Sequence, residues 1–450
     1  MGTTEGERIA AALGALSRTI DPARIVTGCA ELVAAAAVWS GAIDHRPRMV
    51  VRCRSTAEVQ QALRTARECG LPVSVRSGGH DWTGRAIRPG ALVIDLREMR
   101  EVSIRDGIAT VAGGATADDV AAAADGEGLA LATGTVGAVG IVGLTLAGGY
   151  GPLCGRLGLA ADNLVAAEVV LADGQVVRAG QHGDADLLWA LRGGGGNFGV
   201  VTSIEVALHP LPEVLVGSFR FSLEEADQVL AGYAELVSRA PDDLTVLLAI
   251  VPGADGTPVI VVSPTWSGAI PDGPAAMDEV AALGTPLATT VAAMSPLTRL
   301  RQLDGAFPNG PHYEIRTRNL AQLTPASAAS LLEAYSARVH TTSFLNVQHF
   351  HGRATQLDVR DTAFGRREDH LMVEMIERGE PLSGWTRNTS ATLAPHALPG
   401  GYPNFLGPDD QEQAQAAYGP NAARLMEIKD RFDPERVIHA TPLPVHDGGR

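Results

Sequence analysis

After the apolar run at 71–75 the chain reads Arg76-Ser77-Gly78-Gly79-His80. Two glycines directly after a strand let successive backbone N–H groups converge into an anion-binding nest that suits a pyrophosphate. That strand closes a strand–helix–strand unit. Residues 49–53 form the first strand, 55–69 carry Val59, Leu63 and Ala66 at helical spacing and stop at Gly70, and 71–75 form the second strand. The unit points to α/β architecture in this part of the chain. On the pentapeptide alone, His80 is either a surface side chain satisfied by water or a group facing the ligand.

Outward from this nest, glycine keeps recurring. It makes up 51 of the 450 residues, with no Gly-X-Y repeat, and it bunches at 78–84, 134–158 and 193–199. Residues 128–155 carry no charged side chain, a span longer than the ~20 residues a membrane helix needs. Nine of them are glycine and Pro152 lies near the end, so a backbone pressed closely against a large ligand suits the segment better than a bilayer-crossing helix. Gly194-x-Gly196-x-x-Gly199 satisfies the dinucleotide pattern. Yet a helix at 184–192 precedes it and a strand at 200–208 follows, the reverse of the order that aims a helix N-terminus at a pyrophosphate. A Rossmann site and NAD are disfavoured together.

Between these clusters the sequence predicts a strand at 91–96, a strand at 108–111, a helix at 116–126 and a hairpin of 164–171 with 175–179 around Asp173-Gly174. Beyond Pro210 the texture changes. Strands at 214–221, 244–251 and 258–263 mix with helices at 223–238, 275–283 and 326–339, which predicts an antiparallel sheet with helices on one face. Domain boundaries are placed near 210 and 400, giving an N-terminal unit at 1–210, a second at 211–400 and a C-terminal return at 401–450.

Composition bounds the partners. With 36 basic and 51 acidic residues, net −15 and no basic block, neither nucleic acid nor an anionic membrane is expected. Four cysteines without CxxC spacing, and no signal pattern from Met1 to Ala11, lead to a cytoplasmic expectation. The chain is expected to be a monomer or homodimer. Lys429 is the only lysine, and the sequence attaches no mechanism to it.

Four further stretches accompany the nest: Thr133-Gly134-Thr135-Val136-Gly137-Ala138-Val139-Gly140, Gly148-Gly149-Tyr150-Gly151, Asp162-Asn163, and Asp186 through Thr202 with its Gly193–Gly196 run. Near the C-terminus stand Tyr402-Pro403-Asn404-Phe405, Tyr418-Gly419-Pro420-Asn421 and Phe432-Asp433-Pro434. Together they resemble the FAD-linked oxidases of the vanillyl-alcohol oxidase and p-cresol methylhydroxylase fold, and within them the berberine-bridge-enzyme-like group. The singly linked bacterial hydroxynicotine oxidase type is nearest in pattern. The resemblance covers about 40–210 and 400–440. It implies an α+β chain with a two-lobed FAD-binding domain and a substrate domain whose antiparallel sheet is covered by helices.

The resemblance also implies FAD bonded through its 8α carbon to His80. The cysteine of doubly attached relatives is replaced by Val136, so a single attachment is expected, with Cys154 as a packed side chain. It further places Arg76, Ser77, Gly78, Gly79, Gly84, Thr133, Gly134, Val136, Gly137, Gly140, Gly143, Gly149, Asp162, Asn163, Gly196, Gly199, Val200, Val201 and Asn404 at the cofactor. The family's Asn-rich ending is not found at Val437 to Pro442, which leaves the contacts of that segment open.

For the catalytic role, Tyr402 and Tyr150 are the tyrosines expected near the flavin ring. Tyr313, Arg316, His349, His351 and Glu374 are the candidates from the second unit's sheet. Alternation along 346–351 puts Asn346, Gln348 and Phe350 on one strand face and Val347, His349 and His351 on the other. The histidine pair is open to three readings: a metal site, a solvated or core-edge pair, or an active-site role. The expected activity is hydride transfer from a small alcohol, amine or secondary-metabolite substrate to FAD, with dioxygen as the final acceptor. A flavin dehydrogenase or redox-neutral cyclase is the alternative.

Overall fold

The computed structural model describes residues 4–253 and 255–444. Three sheets carry the architecture. The first has four strands in the order Ile25–Val26, Met49–Arg52, Leu92–Asp95, Val73–Arg76, and the last three are parallel, with Met49 and Val73 both opposite Leu92. The helix Thr56–Glu68 makes the crossover. Ser55 caps it by accepting from Glu58 N–H, and Val59, Ala62, Leu63 and Ala66 bury against Met49, Val51 and Ile94. The helix spacing read from sequence therefore packs one stripe on one sheet.

The second sheet is antiparallel, ordered Val102–Arg105, Ile108–Ala112, Val200–Ala207, Leu164–Val170, Val176–Gly180. Its last two strands form the expected hairpin, with Val170 opposite Val176 and Gly174 in the left-handed region at φ +83°. The helix Ala185–Leu191 precedes the 193–199 glycines and the strand Val200–Ala207 follows them, so the non-Rossmann order stands. The uncharged 128–155 segment holds only short elements, chiefly Ile141–Leu146. Among the described residues no helix is long and apolar enough to cross a membrane.

The third sheet has seven antiparallel strands in the order Ala288–Met294, Val214–Ser222, Pro258–Trp266, Leu244–Pro252, Phe344–Phe350, His370–Arg378, Tyr313–Leu320. Helices Ala226–Ser238, Gly273–Ala281, Pro325–Ser336 and Trp385–Leu393 cover one face. Leu345, Val347, Val373 and Met375 enter that layer beside Tyr233, Tyr335 and Trp385. Alternation sends Asn346, Gln348, Glu374 and Ile376 to the opposite face, which looks onto the first two sheets.

Residues beyond 400 return to the second sheet's core, where Tyr418, Leu425 and Ile428 join Leu187, Ala190 and Phe198. The only lysine has a role here. Buried Lys429 donates to the carbonyls of Asn197 (2.5 Å) and Ile438 (2.7 Å) and pairs with Asp433, fixing the C-terminal segment against the 193–199 loop. Asn197 completes the join through Thr441 and the Ala440 N–H. Truncating one partner leaves the other buried and charged. Lys429→Met is therefore expected to cost about 3–5 kcal/mol, read as a lower urea midpoint, and an unchanged midpoint would remove the pair from the account of stability.

Candidate active site

The strand Val73–Arg76 delivers Ser77, Gly78, Gly79 and His80 to the edge of a cavity of about 300 Å³ between the first two sheets and the bare face of the third. Gly134, Val136, Gly140 and Gly143 line it from the uncharged segment, Gly196, Gly199 and Val201 from the next cluster, and Asn404 from the C-terminal return. Gly78 and Gly140 lie back to back, so a Cβ on either would stand 2.4 Å from the backbone nitrogen of the other. Only glycine lets these two loops meet. Gly143 faces the open cavity, with nothing within 4 Å of where its Cβ would be.

Other residues expected at the cofactor do not line the cavity but hold the wall behind it. Arg76 donates to the carbonyls of Ala35 (2.6 Å) and Ala37 (2.5 Å), and its guanidinium fills the space under Gly79. Gly84 packs on His45, and Gly137 N–H donates to Asp304 across to the second unit (2.8 Å). Gly149 N–H donates to Tyr402 Oη (2.8 Å). Asp162 accepts from Leu159 N–H and pairs with Arg367, while Asn163 Nδ2 donates to the Leu157 and Leu159 carbonyls. Thr133 Oγ1 is buried without a partner, and Val200 points into the core beneath Val201. The segment left open by sequence also reaches the site, where Ile438, His439, Ala440 and Thr441 line the cavity.

His80 is half-buried, and its enclosed Nε2 has no hydrogen-bond partner. Burial pushes its pKa down to about 4, so the imidazole is neutral at physiological pH and keeps a free ring lone pair. A glycine-floored cavity with a neutral imidazole at its rim, its Nε2 without a partner, fits FAD. No cysteine lines the cavity. Cys154 is buried outside it, its thiol donating to the His349 carbonyl (3.1 Å) and pushed up to about 11 by burial.

On the opposite wall stands a carboxylate. Glu374 is fully enclosed, paired in register with Asn346, and accepts from Asn346 Nδ2 (3.2 Å) and Gln348 Nε2 (2.5 Å). Burial raises its pKa to about 7, against the lowering by the two carboxamides. Tyr402 also lines the cavity. Its Oη accepts from Gly149 N–H and Asn404 Nδ2 (2.9 Å), while burial pushes its pKa to about 12. Tyr150 lines the same space, but its hydroxyl is committed to His370 Nε2 (2.8 Å), since His370 Nδ1 must donate to the Glu368 carbonyl (2.8 Å).

Four candidates from sequence sit elsewhere. His349 and His351 stack on each other (3.8 Å between centroids) on the far side of their strand, with His351 Nε2 on Thr245 Oγ1 (3.0 Å). Neither lines the cavity, and among the described residues no group of three metal-ligating side chains forms. Arg316 is buried between Glu314 and Asp410. Tyr313 lies one layer behind the cavity, against Trp39. The residues brought together are thus His80, Tyr150, Tyr402, Asn404 and Glu374. In the sequence Glu374 is one of several candidates, because its only signal is a charge inside a buried strand.

Comparisons with known proteins point to the same cofactor. A family model described as "FAD binding domain" matches residues 47–180, and one described as "Berberine and berberine like" matches 401–441. The FAD-linked oxidoreductase aurO of Gibberella zeae is 29% identical over 416 residues, 89% of this chain and 81% of its own. (R)-6-hydroxynicotine oxidase of Paenarthrobacter nicotinovorans is 41% identical over 188 residues, 41% of each chain. Among solved structures, 6-hydroxy-D-nicotine oxidase from Arthrobacter nicotinovorans superposes with a TM-score of 0.84 at 27% identity, covering 93% of this chain and 96% of its own. Glucooligosaccharide oxidase from Acremonium strictum, described with a 6-S-cysteinyl, 8α-N1-histidyl FAD, shares the fold (TM-score 0.85, 22% identity, 97% of this chain and 99% of its own).

Proposed function

Because the chain belongs to the berberine-bridge-enzyme-like FAD-linked oxidoreductases, we propose that it oxidises a small amine or alcohol with an apolar body, on FAD tethered once through His80. The observation that carries this reading is Glu374, a buried carboxyl held by two carboxamides and facing the same cavity as the glycine floor and the His80 imidazole. Bound there, FAD supplies a hydride acceptor at N5 and passes the electrons to dioxygen, releasing hydrogen peroxide.

Glu374 takes the proton from the substrate's N–H or O–H as the adjacent C–H hydrogen leaves as hydride. A base near neutrality is ionised often enough to accept a proton and basic enough to keep it. The carboxamides of Asn346 and Gln348 hold both carboxylate oxygens in place, so the acceptor lone pairs are oriented before substrate arrives. Phe307, Ile315, Ile376 and Phe405 form an apolar wall that excludes water and offers no partner to a sugar's hydroxyls. Tyr402 is held by Gly149 and Asn404 at the flank, and its high pKa leaves it a protonated hydroxyl at neutral pH.

The names of two relatives bracket the substrate question, one a hydroxynicotine oxidase and one a glucooligosaccharide oxidase. On the third sheet's face, one acid and two amides (Glu374, Asn346 and Gln348) beside the apolar wall favour a ring-bearing amine over an oligosaccharide. A panel of secondary amines, benzylic alcohols and oligosaccharides should give dioxygen consumption matched by peroxide release with the first two classes. Turnover only with oligosaccharides, or reduction of an artificial acceptor without peroxide, would overturn the reading.

A further inference from the structure

We propose that Trp39 is the positioning residue for covalent flavin attachment. It is the middle ring of a three-ring stack of Tyr313, Trp39 and His80 that transmits the docking of the large sheet to the orientation of the attachment imidazole. The inference rests on reading His80 as the attachment residue.

The stack is tight and nearly parallel. Trp39 and His80 have centroids 4.2 Å apart at an interplanar angle of 16°, and Trp39 and Tyr313 are 3.9 Å apart at 14°. Trp39 has no freedom to turn. It is 3% exposed, its Nε1 donates to the Phe307 carbonyl (3.0 Å), its backbone N–H donates to Gly79 (3.0 Å), and its carbonyl accepts from Gly310 N–H (3.0 Å). Tyr313 is fixed in turn. Its hydroxyl donates to the Pro308 carbonyl (3.0 Å), and Ser40 Oγ accepts from its N–H and donates to its carbonyl.

A stacked imidazole presents its ring nitrogens sideways, in its own plane, and cannot rotate about its Cβ–Cγ bond without breaking the stack. His80 Nε2 has no hydrogen bond to aim it. The face of Trp39 therefore sets the direction of the nitrogen lone pair. Because Tyr313 belongs to the third sheet and His80 to the loop after the first, the imidazole is aimed only when those sheets are docked.

Attachment joins a His80 ring nitrogen to the 8α carbon of FAD. One imidazole N–H and one methyl C–H are exchanged for one N–C bond. The two hydrogens leave with two electrons, first held by the flavin and then passed to dioxygen as hydrogen peroxide. Misaligning the attacking atom slows such a step without abolishing cofactor binding.

The test follows FAD incorporation, not turnover. Apoprotein of wild type, Trp39→Phe, Trp39→Met and Trp39→Leu is incubated with FAD and air. Acid-precipitated flavin is measured against time, with intact mass reporting chain plus FAD less two hydrogens. Trp39→Phe, which keeps a flat face, should attach flavin at near the wild-type rate. Trp39→Met and Trp39→Leu should attach it on the order of tenfold more slowly while still binding acid-releasable FAD. Equal attachment rates in Trp39→Met and Trp39→Phe overturn the proposal, and this comparison stands even if Trp39→Leu does not fold. Acid-stable flavin in His80→Ala would instead defeat the underlying reading of His80, an outcome distinct from either.

Discussion

In Glu374→Gln, substrate oxidation falls by about 10²–10⁴, while FAD stays attached and the fold is kept. Glutamine preserves the shape and can still accept from one of the two carboxamides, Asn346 or Gln348, but it cannot accept a proton. The pH dependence separates loss of a base from loss of packing. The carboxyl ionises near pH 7, and only the ionised form accepts a proton, so wild-type kcat/KM should rise with pH through that region and level off above it. The Gln variant should lack this acidic limb. Stability moves in the opposite direction. From the ordinary carboxyl pKa of 4.5 up to about 7, the folded chain holds a proton that the unfolded chain has released. Apoprotein stability therefore declines as pH rises across that window, and the Gln variant loses this part of the slope. Near-wild-type turnover with the limb intact would pass the role to another group, and Tyr402 is the next one facing the cavity.

Much of the fold was legible because period and punctuation agree at the N-terminal end. Val59, Leu63 and Ala66 announce the crossover helix, Asp173-Gly174 announces the hairpin, and the reversed order around Gly194–Gly199 excludes a Rossmann turn. The third sheet was only half visible. The strand His370–Arg378 is buried on both faces, apart from its last residue, so its run His-Leu-Met-Val-Glu-Met-Ile-Glu-Arg shows no clean alternation. Ala288–Met294 is an alanine-rich edge strand with weak strand preference. Tyr313–Leu320 carries buried charges that read as surface.

The site divides along the same line. Glycine clusters locate a cofactor wall because a backbone approach such as Gly78 to Gly140 forbids any Cβ. Which residues line the cavity and which support it from behind depends on side-chain direction, and sequence cannot supply that for irregular loops. Asp162, Asn163 and Arg76 carry polar groups that look like ligands yet spend them on neighbouring carbonyls, N–H groups and Arg367. Glu374 is the converse case. Its importance comes from burial and from two amides on the adjacent strand, Asn346 opposite it and Gln348 two residues on, a pairing set by register rather than by sequence neighbours.

His80→Ala should yield protein whose flavin is released completely by acid, against about one flavin retained per wild-type chain. The cavity explains why the loss is total. Attachment needs a nucleophile on the wall, and Val136, where the resemblance implies a thiol in doubly attached relatives, is a side chain without a lone pair. Cys154 cannot substitute, because its sulfur lies outside the cavity, donates to the His349 carbonyl and is kept protonated by burial. His439 lines the cavity as well. Acid-stable flavin in His80→Ala that disappears on further replacement of His439 would place the bond there. The glycine floor is untouched by the substitution, so the variant should still bind FAD reversibly and purify yellow. Its turnover should be slower, because the alkyl link that raises the flavin's potential is gone. A colourless His80→Ala protein of unchanged stability would mean that the covalent bond, and not the glycine-lined cavity, is what retains the cofactor.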